Sequence, residues 1–208
     1  MNIISLLGTS MGSAWLSGLN LYATVAILGL LSRYGGLQLP GDLNVLTNKW
    51  VIIAAVSMYV VEFFADKIPY LDSVWDVLHT FIRIPAGAVL AAGAFGNYSK
   101  EVQVIALMVG GGLAFTSHSS KAATRAVINL SPEPVTNWIA SFTEDAIAIG
   151  GTFLMVYAPF IMLIFLAIFV LIFLLVLPKI IRGIKRLFTS VRNWFKKKPL
   201  NQPMPKTT

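Results

Sequence analysis

Charged and imidazole side chains are concentrated in one short stretch of an otherwise apolar chain. The stretch covers residues 62–83 and reads EFFADKIPYLDSVWDVLHTFIR. Ionisable groups inside a bilayer, or at its edge, cost free energy, so a cluster of them marks a candidate functional site. We therefore expect this stretch to form part of a binding site within or beside the membrane.

The spacing of these groups indicates which chemistry they could share. Asp76, His79 and Arg83 are three and four residues apart, which places them on one helix face. Carboxylates with an imidazole suit a hard divalent cation, whereas two carboxylates close together in an apolar site favour proton binding. Pairing with nearby cations in a structural network is the alternative. The ligands of a cation, if one binds, would be Glu62, Asp66, Asp72, Asp76 and His79.

Further polar groups lie in other apolar segments. Lys121 and Arg125 share a face and could hold a phosphate or carboxylate group of a lipid or solute. Small and polar residues between Gly8 and Asn20 predict either tight helix packing or an unwound helix centre near residues 17–20 that lines a cavity. Together the residues predicted to bind a substrate or ion are Asn20, Glu62, Asp66, Asp72, Asp76, His79, Arg83, Lys121, Arg125, Glu144 and Asp145.

The composition places these groups in a membrane protein. The chain has 208 residues, of which 56% are hydrophobic and 12% charged, and its mean hydropathy is +0.75. Soluble domains have about 25% charged residues. The length allows about five to seven spans. Cysteine is absent, which excludes disulfides, thiolate metal sites and a cysteine nucleophile.

The hydropathy pattern predicts an all-α, polytopic transmembrane bundle of about six spans. Pro85 is expected to kink or separate residues 71–84 from 86–96, and Pro178 to end the last span. Residues 86–96 and the polar stretch around His118 are short enough to be re-entrant. The candidate apolar segments are 3–32, 50–64, 71–84, 86–96, 102–115, 135–157 and 160–177.

The last 30 residues differ in charge from the rest. Residues 179–208 carry nine basic and no acidic side chains, and their apolar residues recur at helical spacing. This pattern predicts a basic amphipathic helix on an anionic leaflet rather than a nucleic-acid site. We therefore divide the chain into a transmembrane domain, 1–178, and a cytoplasmic tail, 179–208. With six crossings both termini would be cytoplasmic.

A weak internal repeat relates two parts of the chain. Residues 12–30 match 112–130 at an offset of 100, including Gly12 with Gly112 and Ser17 with Ser117. Further on the offset becomes 63, as in the match of Trp75 with Trp138. Transporters commonly bind substrate where related halves meet. The repeat would bring Asn20 opposite Ser120.

Several blocks of the sequence resemble a known family. They are GLNLYAT at 18–24, EFFADKIPYLDSVWDVLHTFIRIPAGA at 62–88, SKAATRAVINLSPEPVTNW at 120–138 and the Glu144-Asp145 pair. They are similar to the membrane family called domain of unknown function 4126. The resemblance implies a bacterial inner-membrane protein and says little about activity. It also adds Lys67, Asn129, Glu133 and Asn137 to the polar set.

These observations favour a small secondary transporter or channel-like permease with an intramembrane site for an ion or a small anionic solute. The alternative is a non-catalytic lipid-binding or scaffold protein whose partners are membrane lipids. Enzyme activity is not predicted, because Ser117-His118-Ser119 lacks the GxSxG nucleophile elbow, no HExxH motif occurs, and the chain has only two histidines. A divalent cation and a proton are the candidate coupling ions. The oligomeric state is left open, with a homo-oligomer as one alternative.

Overall fold

A computed structural model describes residues 2–68, 70–130 and 133–196. In these residues all the regular secondary structure is helical, which confirms the predicted all-α bundle. A short 3-10 helix, Gly41–Thr47, precedes the second α-helix. The α-helices are α1 (Ile3–Gly35), α2 (Lys49–Ala65), α3 (Leu71–Ala94), α4 (Lys100–Ile128), α5 (Pro134–Tyr157) and α6 (Pro159–Lys196).

Most of these helices are suited to a bilayer. Within the described residues, five are long and apolar enough to span it: α1, α3, α4, α5 from Val135, and α6 up to Lys179. The 3-10 helix and α2 together make a sixth candidate, bent by 73°. Helix α2 has 17 residues, which is about 25 Å at 1.5 Å per residue. The protein is therefore a multi-pass membrane protein.

Two predicted interruptions are wrong, the separation of two helices at Pro85 and the re-entrant turn around His118, whereas the predicted end of the last span at Pro178 agrees with the candidate span Pro159–Lys179. Helix α3 continues through Pro85, α4 continues through His118, and α6 continues through Pro178. An apolar environment explains the continuity, because a backbone bond broken there cannot be replaced by a bond to water. A proline therefore removes one hydrogen bond without ending the helix.

The predicted tail is described only in part. Its backbone is helical to Lys196, while residues 197–208 lie outside the described part. So do the side chains of its whole predicted apolar face, Ile180, Ile181, Ile184, Leu187, Phe188, Val191, Trp194 and Phe195. The amphipathic helix and the domain boundary at 178 stay predictions. Compact packing divides the chain at a different point, between Val170 and Leu171.

The break predicted in α1 is confirmed at Asn20. This residue has an extended backbone (φ −147°, ψ 95°) between two helical halves. The first half runs antiparallel to α3. Its Ser10 Oγ donates to Ala91 O, and about two turns later Ser17 Oγ donates to Arg83 O. It therefore runs from the end of α3 towards its middle.

The second half of α1 runs in the opposite direction, from the middle of α3 back towards its C-terminal end. Near the break, Tyr22 contacts His79 in the middle of α3. Further on, Gly29 packs against Leu46 of the 3-10 helix. That 3-10 helix lies beside the C-terminal end of α3, where Gly41 packs against Gly93 and Gly96. Helix α1 is thus a helical hairpin, and Asn20 is its tip.

The two ends of the helical bundle hold different connections. The α2–α3 and α4–α5 connections lie together at one end, where Asn129 Nδ2 donates to Asp72 Oδ1 (2.9 Å) and Ser73 Oγ (2.8 Å). We call this the carboxylate end. The 3-10 helix and the α3–α4 connection lie at the opposite end, together with both ends of the α1 hairpin. The tip, Asn20, lies between the two ends.

Small residues allow the hairpin to approach α3 and α4 closely. A side chain at Gly18 would overlap the Ser117 hydroxyl and the Ala114 carbonyl of α4. A side chain at Gly87 would overlap Ala114 and the Ser17 hydroxyl. These contacts fix the position of the tip beside the charged residues of α3 and α4.

Candidate functional site

Eight ionisable side chains from the helices around the hairpin form one continuous ion-pair network. All have a nitrogen or oxygen within 4 Å of an opposite charge, and seven of them are almost wholly excluded from the surface. The eight, which we call the charge network, are Glu62, Asp66, Asp72, Asp76, Arg83, Lys121, Arg125 and Glu144.

Arg83 joins α2 to α3 within the network. Its Nη2 donates to Glu62 Oε1 at 2.6 Å and its Nη1 to Asp76 Oδ1 at 3.1 Å. The helical spacing from Asp76 to Arg83 places both side chains on one face of α3, as the sequence predicted. Arg83 and Glu62 have no exposed surface, so their pairing takes place without bulk water.

Lys121 lies at the centre of the network. Its Nζ is 2.7 Å from Asp66 Oδ2, 3.3 Å from Glu144 Oε2 and 3.5 Å from Asp76 Oδ1. It also donates to the carbonyl of Leu19, at 3.4 Å, next to the break in α1. The charge network therefore reaches the tip of the hairpin.

Arg125 extends the network towards the carboxylate end. Its guanidinium binds Glu144 with two hydrogen bonds, Nε to Oε1 at 3.1 Å and Nη2 to Oε2 at 2.7 Å. Its Nη1 donates to the carbonyl of Asp66 at 3.1 Å and lies 3.6 Å from Asp72 Oδ2. A bidentate pair of this kind fixes both side chains.

The charge network has more carboxylates than cations. Five carboxyl groups face three cations, which is a formal excess of two negative charges. Moreover, one oxygen each of Glu62, Asp66 and Asp76 accepts no hydrogen bond from the described residues. Buried charges that serve only structure are usually paired and hydrogen-bonded. The excess leaves room for protons or cations in the network.

Three predicted site residues lie beside the network rather than in it. Asn20 Nδ2 donates to Asp145 Oδ1 at 3.1 Å, so these two residues form a separate pair at the tip. His79 contacts the Trp75 carbonyl through Nδ1 (2.8 Å) and the Tyr22 hydroxyl through Nε2 (3.1 Å). His79 therefore takes part in an aromatic cluster and does not touch the carboxylates.

The predicted metal ligands do not converge on one point. In the described ranges, no group of three or more histidine, aspartate or glutamate side chains is arranged to hold a metal ion. The carboxylates instead point to Arg83, Lys121 and Arg125. The geometry therefore gives the divalent-cation alternative no support beyond the residue types.

Sequence reasoning overlooked residues that complete the site. Tyr22 and Trp75 hold the His79 ring, and Trp75 stacks on it at 4.2 Å. Their one signal is the four-residue spacing of Trp75 and His79. Asn129 and Asn137, which bind Asp72 and Arg125, were indicated by the family resemblance alone, because a lone asparagine carries no charge pattern.

Comparison with known proteins gives the family and no activity. No curated protein matches the chain, and no solved structure does. A family model described as domain of unknown function (DUF4126) matches residues 7–179, which include the whole charge network and the hairpin tip. The chain therefore belongs to the DUF4126 family.

Proposed function

We propose that this protein is a small membrane transporter or channel-like permease whose charge network binds the transported or coupling ion. One observation carries the proposal: an excess of buried carboxylates lies directly beside the tip of a helical hairpin that ends inside the bundle. Broken helices at mid-membrane commonly form ion and substrate sites in transporters, because their free backbone groups and helix ends face the site.

The cost of the network supports a role beyond stability. Removing two charges from water costs several kcal/mol for each ion, and replacing a buried pair by apolar residues is often neutral or stabilising. A bundle that needed only stability would therefore gain little from five buried carboxylates. Binding an ion gives a reason to keep them.

The charge balance favours a proton or cation over an anionic solute. Lys121 and Arg125 could have held an anion, but both are buried and are already bonded to Asp66 and Glu144. An anion would have to displace these carboxylates. A proton or a monovalent cation would reduce the negative excess without breaking an ion pair.

Liposome flux measurements test this proposal. Purified protein would be reconstituted and assayed for proton, sodium, potassium and small-anion flux. We expect wild-type cation or proton flux at least ten times that of Asp76→Asn and of Arg125→Gln, with Asp42→Asn, an exposed carboxylate, unchanged. Folded wild-type protein that gives no more flux than the Asp76→Asn variant would contradict the proposal.

The hairpin also changes the expected membrane orientation. If α1 enters and leaves at the same end, α2 to α6 make five full crossings, and the termini lie on opposite sides. The positive-inside rule then places the basic tail in the cytoplasm of a bacterial inner membrane and the N-terminus outside. The earlier expectation of two cytoplasmic termini required six crossings.

Single cysteines test this orientation, because the chain has none of its own. We expect a membrane-impermeant maleimide added to intact cells to label Asn2→Cys and Ser99→Cys. Tyr70→Cys and Thr189→Cys should react only after the cells are opened. Protection of Asn2→Cys together with Thr189→Cys would instead favour six crossings.

Lipid binding is the second candidate, and one cavity favours it. An apolar groove of about 460 Å³ lies between α1, α5 and α6, with Trp15, Leu19, Leu154 and Phe165 in its wall. Its lining suits an acyl chain rather than a head group. Native mass spectrometry distinguishes the candidates: a retained lipid lost in Gly151→Leu, with flux absent, would favour lipid binding.

A further inference from the structure

We propose that the carboxyl group of Asp145 is a proton-binding site at the tip of the α1 hairpin. Asp145 lies in α5 and is 6% exposed. Its Oδ1 accepts a hydrogen bond from Asn20 Nδ2, and its Oδ2 accepts none from the described residues. In contrast to the carboxylates of the charge network, it has no cationic group within 4 Å among those residues.

The groups that face Asp145 give it no ion pair. They are Asn20 from α1, Tyr59 from α2, Asp66 and Lys67 from the α2–α3 connection, and Lys121 from α4, with Glu144 as its neighbour in α5. Lys121 is bonded to Asp66 at 2.7 Å. The Lys67 ammonium donates to the Phe63 carbonyl and the Ser141 hydroxyl and lies over the Phe63 ring. Neither ammonium group therefore forms an ion pair with Asp145, and the charge of Lys67 acts on it only from beyond 4 Å.

A buried carboxyl without a cation is more stable as the neutral acid. Transfer of an unpaired carboxylate from water to an apolar site is so costly that such groups usually bind a proton instead. Protonation forms one O–H bond on Asp145 Oδ2, takes its proton from the aqueous phase and breaks no ion pair. The neutral acid still accepts the Asn20 hydrogen bond through Oδ1.

The same contact connects the proton to the hairpin. Asn20 Oδ1 accepts a hydrogen bond from the Ala23 backbone N–H at 2.9 Å, which makes Asn20 the N-cap of the second half of α1. Its Nδ2 is then directed at Asp145. One amide group thus caps the helix and binds the carboxyl, so a change of charge on Asp145 acts directly on the tip.

Glu62 is the competing proton carrier. It is fully buried, and its Oε2 also lacks a hydrogen bond from the described residues. However, its Oε1 lies 2.6 Å from Arg83 and 3.7 Å from Lys121, and both cations stabilise the carboxylate. Asp145 has no equivalent pair. Only the role of this proton in transport rests on the proposed function; its presence on Asp145 does not.

Infrared spectroscopy of the protein in lipid at neutral pH tests the assignment. We expect a carboxylic-acid C=O band that moves to lower frequency when aspartate carries a heavy carbon isotope in its side-chain carboxyl. The band should disappear in Asp145→Asn and remain in Asp42→Asn. An absent wild-type band, a band that moves only with labelled glutamate, or one that persists in Asp145→Asn would overturn the proposal.

A second variant keeps the test decisive if Asp145→Asn does not fold. Asn20→Ser retains an N-cap oxygen but removes the amide that binds Asp145. The acid C=O then loses a hydrogen-bond donor, and its band should move to higher frequency. An unchanged band would overturn the assignment. Absent flux with the band in place would contradict the proposed function alone, whereas flux without the band would contradict only the proton on Asp145.

Discussion

The Arg83→Gln substitution is expected to destabilise the protein by about 3–5 kcal/mol, the range measured when one partner of a buried ion pair is removed. Arg83 is completely buried and binds both Glu62 and Asp76. Glutamine would leave two buried carboxylates without their nearest cation, in a network that already has excess negative charge. Thermal or denaturant unfolding of the protein in detergent micelles measures the loss.

Matched variants separate the ion pair from a general effect of losing an arginine. Arg33→Gln removes an exposed arginine that donates to the Thr47 carbonyl, and we expect less than about 1 kcal/mol of change there. Adding Glu62→Gln to Arg83→Gln should recover part of the loss, because one stranded carboxylate becomes neutral. Equal losses of unfolding free energy for Arg83→Gln and Arg33→Gln would contradict the ion pairs of Arg83 described above.

The second large effect is expected at Gly18, where the hairpin passes α4. A valine there would overlap the Ser117 hydroxyl and the backbone carbonyl of Ala114. Backbone atoms of two packed helices cannot move aside cheaply, and overpacking typically costs about 1–3 kcal/mol or more. We expect Gly18→Val to lower the unfolding midpoint and the yield of monodisperse protein.

Gly112→Val is the control for this substitution. Gly112 is also a helical glycine, but a side chain there meets nothing within 4 Å. The two variants share the same change in residue type and differ in their surroundings. A Gly112→Val variant as unstable as Gly18→Val would mean that helix propensity, not the approach of the hairpin to α4, determines the result.

Charge and helical period explain why much of the site could be predicted. Ionisable groups are rare in apolar helices, so those that occur there can be recognised from the sequence as candidate site residues. The three- and four-residue spacing then gives the shared face of Asp76 and Arg83. Lys121 and Arg125 could likewise be recognised from their helical spacing as cations that share a face and balance the carboxylates. Eight of the eleven predicted site residues meet in the charge network, and whether they bind a ligand stays a prediction.

The partners of each charge could not be predicted, because they depend on tertiary packing. Asn20 and Asp145 are 125 residues apart in the chain, and no local pattern relates them. The reversal of chain direction within α1 also depends on tertiary packing and could not be predicted. Residues 17–20 look equally suited to close packing and to a break, and the structure uses them for both. The predicted interruption at Pro85 failed because proline position alone says little inside an apolar bundle.

The internal repeat stays a prediction. Ser17 and Ser117, which match at the offset of 100, each donate to a carbonyl three residues earlier, Ala14 and Ala114. Such local bonds are common for serine in helices. The offset of 63 also matches Pro69 with Pro132, and this pair lies outside the described residues.

Electrophysiology on a solid-supported membrane tests whether the charge network binds a transported or coupling ion, because it detects charge movement within the protein. Proteoliposomes would be exposed to jumps in pH and then in sodium or potassium concentration. We expect a current for at least one of these ions in the wild type, reduced at least tenfold in folded Asp76→Asn and retained in Asp42→Asn. Wild-type currents no larger than those of empty liposomes for every jump would contradict this expectation.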